Sequence, residues 1–125
     1  MDEEISVNIE IRATGFRLSA GVRAHAERRI RFAFGSTSNR VRSVSVRLAD
    51  NNGPRGGIDK RCLIEAIVPG LPPVVVEQCE PDLAVAIDRA ADRAGRTVAR
   101  WLKKAIADRR GPNAAGANGG AFPLY

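Results

Sequence analysis

Apolar Ile5, Val7, Ile9 and Ile11 alternate with Ser6, Asn8, Glu10 and Arg12, a period of two that predicts a half-buried first strand. The period then lengthens. Val22, Ala26, Ile30 and Ala33 share one side of a helix that Ser19 can cap and that runs to about Phe34, with Gly35 where helices commonly stop. Val44, Val46 and Leu48 alternate with Ser43, Ser45 and Arg47 in a second strand, and the stretch Asp50-Asn51-Asn52-Gly53-Pro54-Arg55-Gly56-Gly57 breaks the chain. Residues 60–68 and 73–79 predict two further strands joined by Pro69-Gly70-Leu71-Pro72. Their facing stays open, because Leu63, Ile64, Ile67 and Val68, like Val74, Val75 and Val76, are apolar on both parities. A last helix follows, with Pro81 expected in its first turn. Its apolar stripe reads Leu83, Ile87, Ala90, Ala91, Ala94, Val98, Trp101, Leu102 and Ala105. Gly95 inside it costs about 1 kcal/mol relative to alanine, which suggests close packing there. Gly111-Pro112 ends the helix, and residues 111–125 are expected to be a flexible tail with Phe122, Leu124 and Tyr125 as an anchor. The order β-α-β-β-β-α predicts one α+β domain over residues 1–110, a four-stranded sheet with two helices packed on one face.

Charge adds what hydropathy does not. Residues 1–88 carry 12 Lys or Arg against 12 Asp or Glu, whereas residues 89–110 carry 8 against 2, so the last helix holds the whole formal charge of +6. At about 100° per residue, Arg89, Arg93, Arg96, Arg100, Lys103 and Lys104 fall within roughly 60° of one line, opposite the apolar stripe. Solvated helix faces usually mix signs, and here no carboxylate is expected among the cations, only Asp82 near their line. Like charges at that spacing cost a few tenths of a kcal/mol per pair, a cost without local benefit. A cationic ridge on a core-facing helix is how a small domain presents charge to a polyanion. Arginine supplies 17 of the 20 basic residues, and its fork matches phosphate oxygens and stacks on bases.

Other chemistry is thin. No apolar run approaches the ~20 residues of a membrane span, and the acidic start Met1-Asp2-Glu3-Glu4 fits neither a signal nor a transit peptide, so a cytoplasmic protein is expected. Cys62 and Cys79 are too few for a disulfide scaffold or a zinc site. The hairpin between the third and fourth strands puts them near each other, and they are expected to be small buried apolar residues rather than a disulfide. His25 is the only histidine and has no constellation around it, so no enzyme, metal, cofactor or small-molecule substrate is expected. Trp101 belongs to the core. Phe32 lies off the inward stripe of the first helix, either to stack on RNA or, as favoured here, to cover the sheet edge.

Three segments together resemble the ribosome hibernation-promoting factor family, also described as ribosome-associated inhibitors or sigma-factor modulation proteins. They are Leu18-Ser19-Ala20-Gly21-Val22-Arg23 continuing to Glu27-Arg28-Arg29-Ile30; Asn52-Gly53-Pro54-Arg55-Gly56-Gly57 with Asp59-Lys60-Arg61-Cys62; and Asp82-Leu83, Ala86-Ile87-Asp88, Asp92-Arg93, Arg96 and Arg100. The resemblance spans about residues 5–110. It implies a domain that binds the small ribosomal subunit and its rRNA near the decoding region, in the path of mRNA and tRNA, and holds ribosomes inactive in starvation or stationary phase. The family's long forms add a second domain for which residues 111–125 are too short, so a short form is expected, monomeric when free. Arginine stands where many relatives carry lysine, and Gly95 where a better helix former is expected.

The candidate RNA contacts are therefore Arg89, Arg93, Arg96, Arg100, Lys103 and Lys104, assisted by Arg23, Arg28 and Arg29 of the first helix. Lys60 and Arg61 are carried as contacts too, although edge charges that discourage strand-to-strand aggregation explain them as well. Two other readings stay open on the residues: a general structured-RNA-binding module, and a protein-interaction module or homo-oligomer that uses an exposed sheet face.

Overall fold

The computed structural model describes residues 7–50 and 59–110, with side chains to Asp108. Ile5, the glycine-rich loop and the tail after Arg110 lie outside the described residues. Strand β1 (Asn8–Thr14) leads into helix α1 (Ala20–Ala33), a short 3-10 helix (Ser38–Arg40), strands β2 (Ser43–Asp50), β3 (Lys60–Ile67) and β4 (Val74–Glu80), and helix α2 (Leu83–Arg110). The expected order β-α-β-β-β-α is the observed one.

Spatial strand order equals sequence order, with β1 parallel to β2 and the remaining pairs antiparallel. A parallel pair needs a crossover, and α1 supplies it. The register Ile11↔Val46, Val46↔Ile64 and Ile64↔Val76 draws one row of buried side chains across all four strands. Both helices cover that face, α1 against β1 and α2 against β3 and β4. Between the layers lie Trp101, Phe34, Ile30, Leu48 and Ile87, nearly or fully buried, each worth about 1.5–3 kcal/mol or more of apolar transfer.

Pairing settles the facing that hydropathy left open. Cys62, Ile64, Ala66, Val74 and Val76 point toward the helices, and the alternate residues Leu63, Ile67 and Val75 lie on the uncovered face. The hairpin turn has Pro69 at its second position, Gly70 at φ +90° and Leu71 N–H donating to the Val68 carbonyl at 3.0 Å, the arrangement of a type II turn. This register corrects the expectation for the cysteines. Cys62 sits opposite Gln78 and is buried, while Cys79 sits opposite Arg61 and is exposed, so they occupy opposite faces as free thiols.

Ser19 caps α1 as expected, its Oγ accepting from Val22 N–H at 3.1 Å. The cap of α2 is Asp82, whose carboxylate accepts from Ala84 N–H at 2.8 Å; Pro81 stands one residue before that cap rather than in the first turn. Gly95 shows the close packing its helical cost suggested. A Cβ built there would lie 2.5 Å from the Ala33 carbonyl oxygen, so the last turn of α1 rests on the α2 backbone.

Candidate nucleic-acid interface

Helix α2 turns its alanine-rich side to the sheet, which leaves the opposite side to solvent between α1 and the β4 edge. Arg89, Arg93, Arg96, Arg100 and Lys103 are exposed there and Lys104 is half-buried. The stripe is divided along its length. Arg89 donates to Glu80 at 3.2 Å, Arg93 to the Glu77 carbonyl at 3.1 Å and the Gln78 side-chain oxygen at 2.8 Å, and Arg96 pairs with Asp92 at 2.7 Å. Arg100, Lys103 and Lys104 have no carboxylate partner among the described residues.

This corrects the expectation of a stripe free of carboxylates. Asp92 lies one turn before Arg96 and about 60° off the cationic line, a spacing that the sequence contains. Glu80, by contrast, arrives from the neighbouring strand, and no pattern within the helix foretells it. The result is a helix whose first half is held by its own fold and whose second half is left uncompensated.

The first-helix candidates separate. Arg29 is half-buried, reaches Asp88 of α2 at 3.2 Å and covers the Phe32 ring at 5.4 Å from its centroid. Asp88 also faces His25, Nε2 to Oδ1 at 2.8 Å, so the lone histidine takes part in a bond that ties the two helices. Arg28 is exposed on the outward side of α1, opposite buried Ala26 and Ile30. Arg23 is exposed about 120° round the helix from Arg29, and so faces away from α2.

Lys60 and Arg61 separate as well. Lys60 is three-quarters buried, hydrogen-bonded to Asp59 and ion-paired with Asp50, both at 3.1 Å, and these two contacts, Asp59 first, raise its pKa above 10.5. Arg61 lies on the uncovered sheet face, paired with Glu77 at 2.5 Å. The structure therefore gathers the α2 stripe with Arg28 and Arg29 on the helix layer, keeps Lys60 in an ion-pair cluster at the sheet's end, and puts Arg61 on the far face.

Phe32 departs from the favoured expectation of a ring over the sheet edge. It is 77% exposed and covers no sheet edge. Its ring stands at the rim of a shallow groove between the helices, floored by Ala33, Gly95 and Ala99 and bounded across the way by Arg96. The signal for it was its absence from the inward stripe. Among the described residues, no group of three or more His, Cys, Asp or Glu is arranged to hold a metal ion.

A comparison with curated proteins gives no match. Solved structures do match. A ribosomal subunit interface protein from Coxiella burnetii superposes with a TM-score of 0.66 over 78% of this chain and 99% of its own, at 11% identity, a likeness of fold. The N-terminal domain of Protein Y from Thermus thermophilus gives 0.63 over 76% and 99%, at 26% identity. The family model described as sigma 54 modulation protein / S30EA ribosomal protein matches residues 9–105, from β1 to the last turns of α2. With the fold in agreement over that span, the chain belongs to the sigma 54 modulation protein / S30EA ribosomal protein family, a family of ribosome-associated factors.

Proposed function

We infer that this chain is a translation inhibitor that docks on the small ribosomal subunit. It binds rRNA phosphates near the decoding region, occupies the path of mRNA and tRNA, and holds ribosomes inactive under stress or in stationary phase. The observation that carries the reading is the uncompensated half of α2, Arg100, Lys103 and Lys104, on a chain of a ribosome-associated family. Contacts to phosphate position a protein without reading sequence, which suits a folded RNA surface. Inhibition by occupancy needs no bond made or broken, hence no catalytic group, cofactor or small-molecule substrate. Under this reading the protein works in the cytoplasm, as a monomer when free; no helix among the described residues is long and apolar enough to cross a membrane.

Within the interface, Arg100, Lys103 and Lys104 make the first contacts. Arg89, Arg93 and Arg96 exchange internal partners for phosphate, and Arg28 and Arg29 extend the surface over α1. Arg23, Lys60 and Arg61 contribute where RNA wraps beyond the helix layer. The test is co-sedimentation with purified bacterial small subunits, comparing wild type with a folded Arg100→Glu/Lys103→Glu/Lys104→Glu variant and adding free duplex RNA as competitor. Wild type should pellet, the variant should stay in solution, and duplex should not displace the wild type. Displacement by duplex turns the reading to a general structured-RNA module, and equal pelleting of both proteins removes α2 as the binding face. The logarithmic salt slope counts the phosphates: about −2 to −3 if only the three uncompensated cations of α2 engage, about −4 to −5 if all six of its stripe do.

A further inference from the structure

The cationic stripe accounts for binding phosphate and leaves Phe32 unexplained. Three observations bear on it. A phenyl ring 77% exposed is the largest apolar side chain given to solvent among the described residues. It also has a neighbour: Arg29 lies over one face at 5.4 Å, and the guanidinium is ion-paired with Asp88 at 3.2 Å. A cation on one face of a ring is an attractive contact that leaves the other face free and limits the ring's motion. Finally, the groove beside the ring has a floor of small residues, Ala33, Gly95 and Ala99, and a far wall at Arg96, whose charge Asp92 partly balances.

A flat apolar ring beside arginine suits a flat aromatic ligand that carries negative charge. A nucleobase on a phosphate chain has both properties, and the stripe of α2 running past the groove favours that polyanion over an apolar protein segment. We propose that Phe32 is a stacking platform for one unpaired RNA base, which enters the groove between α1 and α2 while its flanking phosphates meet Arg28 and Arg96. The ring supplies contact with base identity left open, because every base has a π-face. The proposal deepens the ribosome reading and rests on it for the source of the RNA, but the stacking itself is measurable on a free oligonucleotide.

The experiment uses fluorescence anisotropy with two labelled probes, a 12-nucleotide oligoadenylate and an abasic ribose-phosphate chain of the same length. Wild type should prefer the oligoadenylate. Phe32→Ala should weaken it about tenfold, within the range that loss of one stacked base gives, and change the abasic probe by less than about twofold. Phe32→Trp should keep the preference, and Arg28→Glu should weaken both probes alike. The ring is exposed, so all variants should fold with unchanged thermal midpoints. Equal wild-type affinity for the two probes, or an oligoadenylate affinity indifferent to Phe32→Ala, overturns the platform and assigns the ring to another kind of contact. Small-subunit co-sedimentation of the same proteins separates the two readings. If wild type fails to pellet while the probes still discriminate, the ribosome reading falls and the platform stands. If wild type pellets and the probes do not discriminate, the platform alone falls.

Discussion

Replacing Gly95 with alanine sets two effects of opposite sign against each other. Helix propensity alone favours the substitution by about 1 kcal/mol, since Gly95 lies in the interior of α2. Packing opposes it. The added methyl would sit 2.5 Å from the Ala33 carbonyl oxygen and 3.1 Å from both the carbonyl carbon and the Cβ of Ala33. Backbone cannot rotate aside as a side-chain tip can, so the end of α1 must lift off α2. Overpacking of this kind costs about 1–3 kcal/mol, and a backbone obstacle puts it at the upper end. The net loss is about 1–2 kcal/mol, a fall in thermal midpoint of about 5–15 °C for a domain of this size. Gly21 is the internal control: it lies in α1, and a Cβ there meets only Ser19 Oγ at 4.0 Å. Gly21→Ala should therefore stabilise by up to about 1 kcal/mol. Thermal unfolding followed by circular dichroism compares the two. A Gly95→Ala midpoint equal to or above wild type would falsify the close-packing argument, whatever Gly21→Ala does.

The two thiols should separate by reagent access: at pH 8 an aromatic disulfide reagent should modify Cys79 at once and Cys62 only after unfolding, and two fast thiols in the native protein would contradict the assigned register. Burial pushes the Cys62 thiol from 9.0 up to about 12, so between those values the unfolded chain releases a proton that the folded chain keeps. Stability should then fall by about 1.4 kcal/mol per pH unit above pH 9, and the urea midpoint of Cys62→Ala should be flatter over that window. Lys60, its pKa raised by Asp59 and Asp50, adds stability that is present below 10.5 and is lost as pH climbs through its folded value; Lys60→Met should remove that last part of the alkaline decline. Ser19→Ala should cost about 1 kcal/mol in chemical denaturation by leaving Val22 N–H without its cap, and a smaller effect than a few tenths would show that solvent replaces the hydroxyl.

The parts legible in the sequence were those where one face is buried and the other wet. In β1 and β2, Ile9, Ile11, Val44, Val46 and Leu48 alternate with polar residues because those residues face solvent. In β3 and β4 the uncovered face also carries Leu63, Ile67 and Val75, so periodicity lost its contrast and only strand pairing fixed the parity. The cysteines share that ambiguity, since a hairpin brings two residues near in space without giving them a common face. The cationic line of α2 is legible because its residues lie within one helix, and so is the i, i+4 spacing of Asp92 and Arg96, which sits at the margin of that line. The bonds from β4, through Glu77, Gln78 and Glu80, depend on which strand lies beside the helix and have no signature in local spacing. Phe32 carries the opposite lesson: a residue outside every apolar pattern is a prompt to look for what it meets outside the fold.

The division of α2 into a compensated and an uncompensated half makes the domain electrically lopsided. A body whose unbalanced charge sits toward one end turns in the field of a polyanion before it touches, so under the proposed function the C-terminal part of α2 would lead the approach. Encounter rate and docking geometry are then set by different residues. Removing Arg100, Lys103 or Lys104 should slow arrival and flatten its dependence on ionic strength, whereas releasing Arg89 or Arg96 from Glu80 or Asp92 should act mainly on how long the complex lasts. Under the proposed function the internal ion pairs of the first half would act as a reserve, inactive during approach and exchanged for phosphate only once the helix lies along RNA.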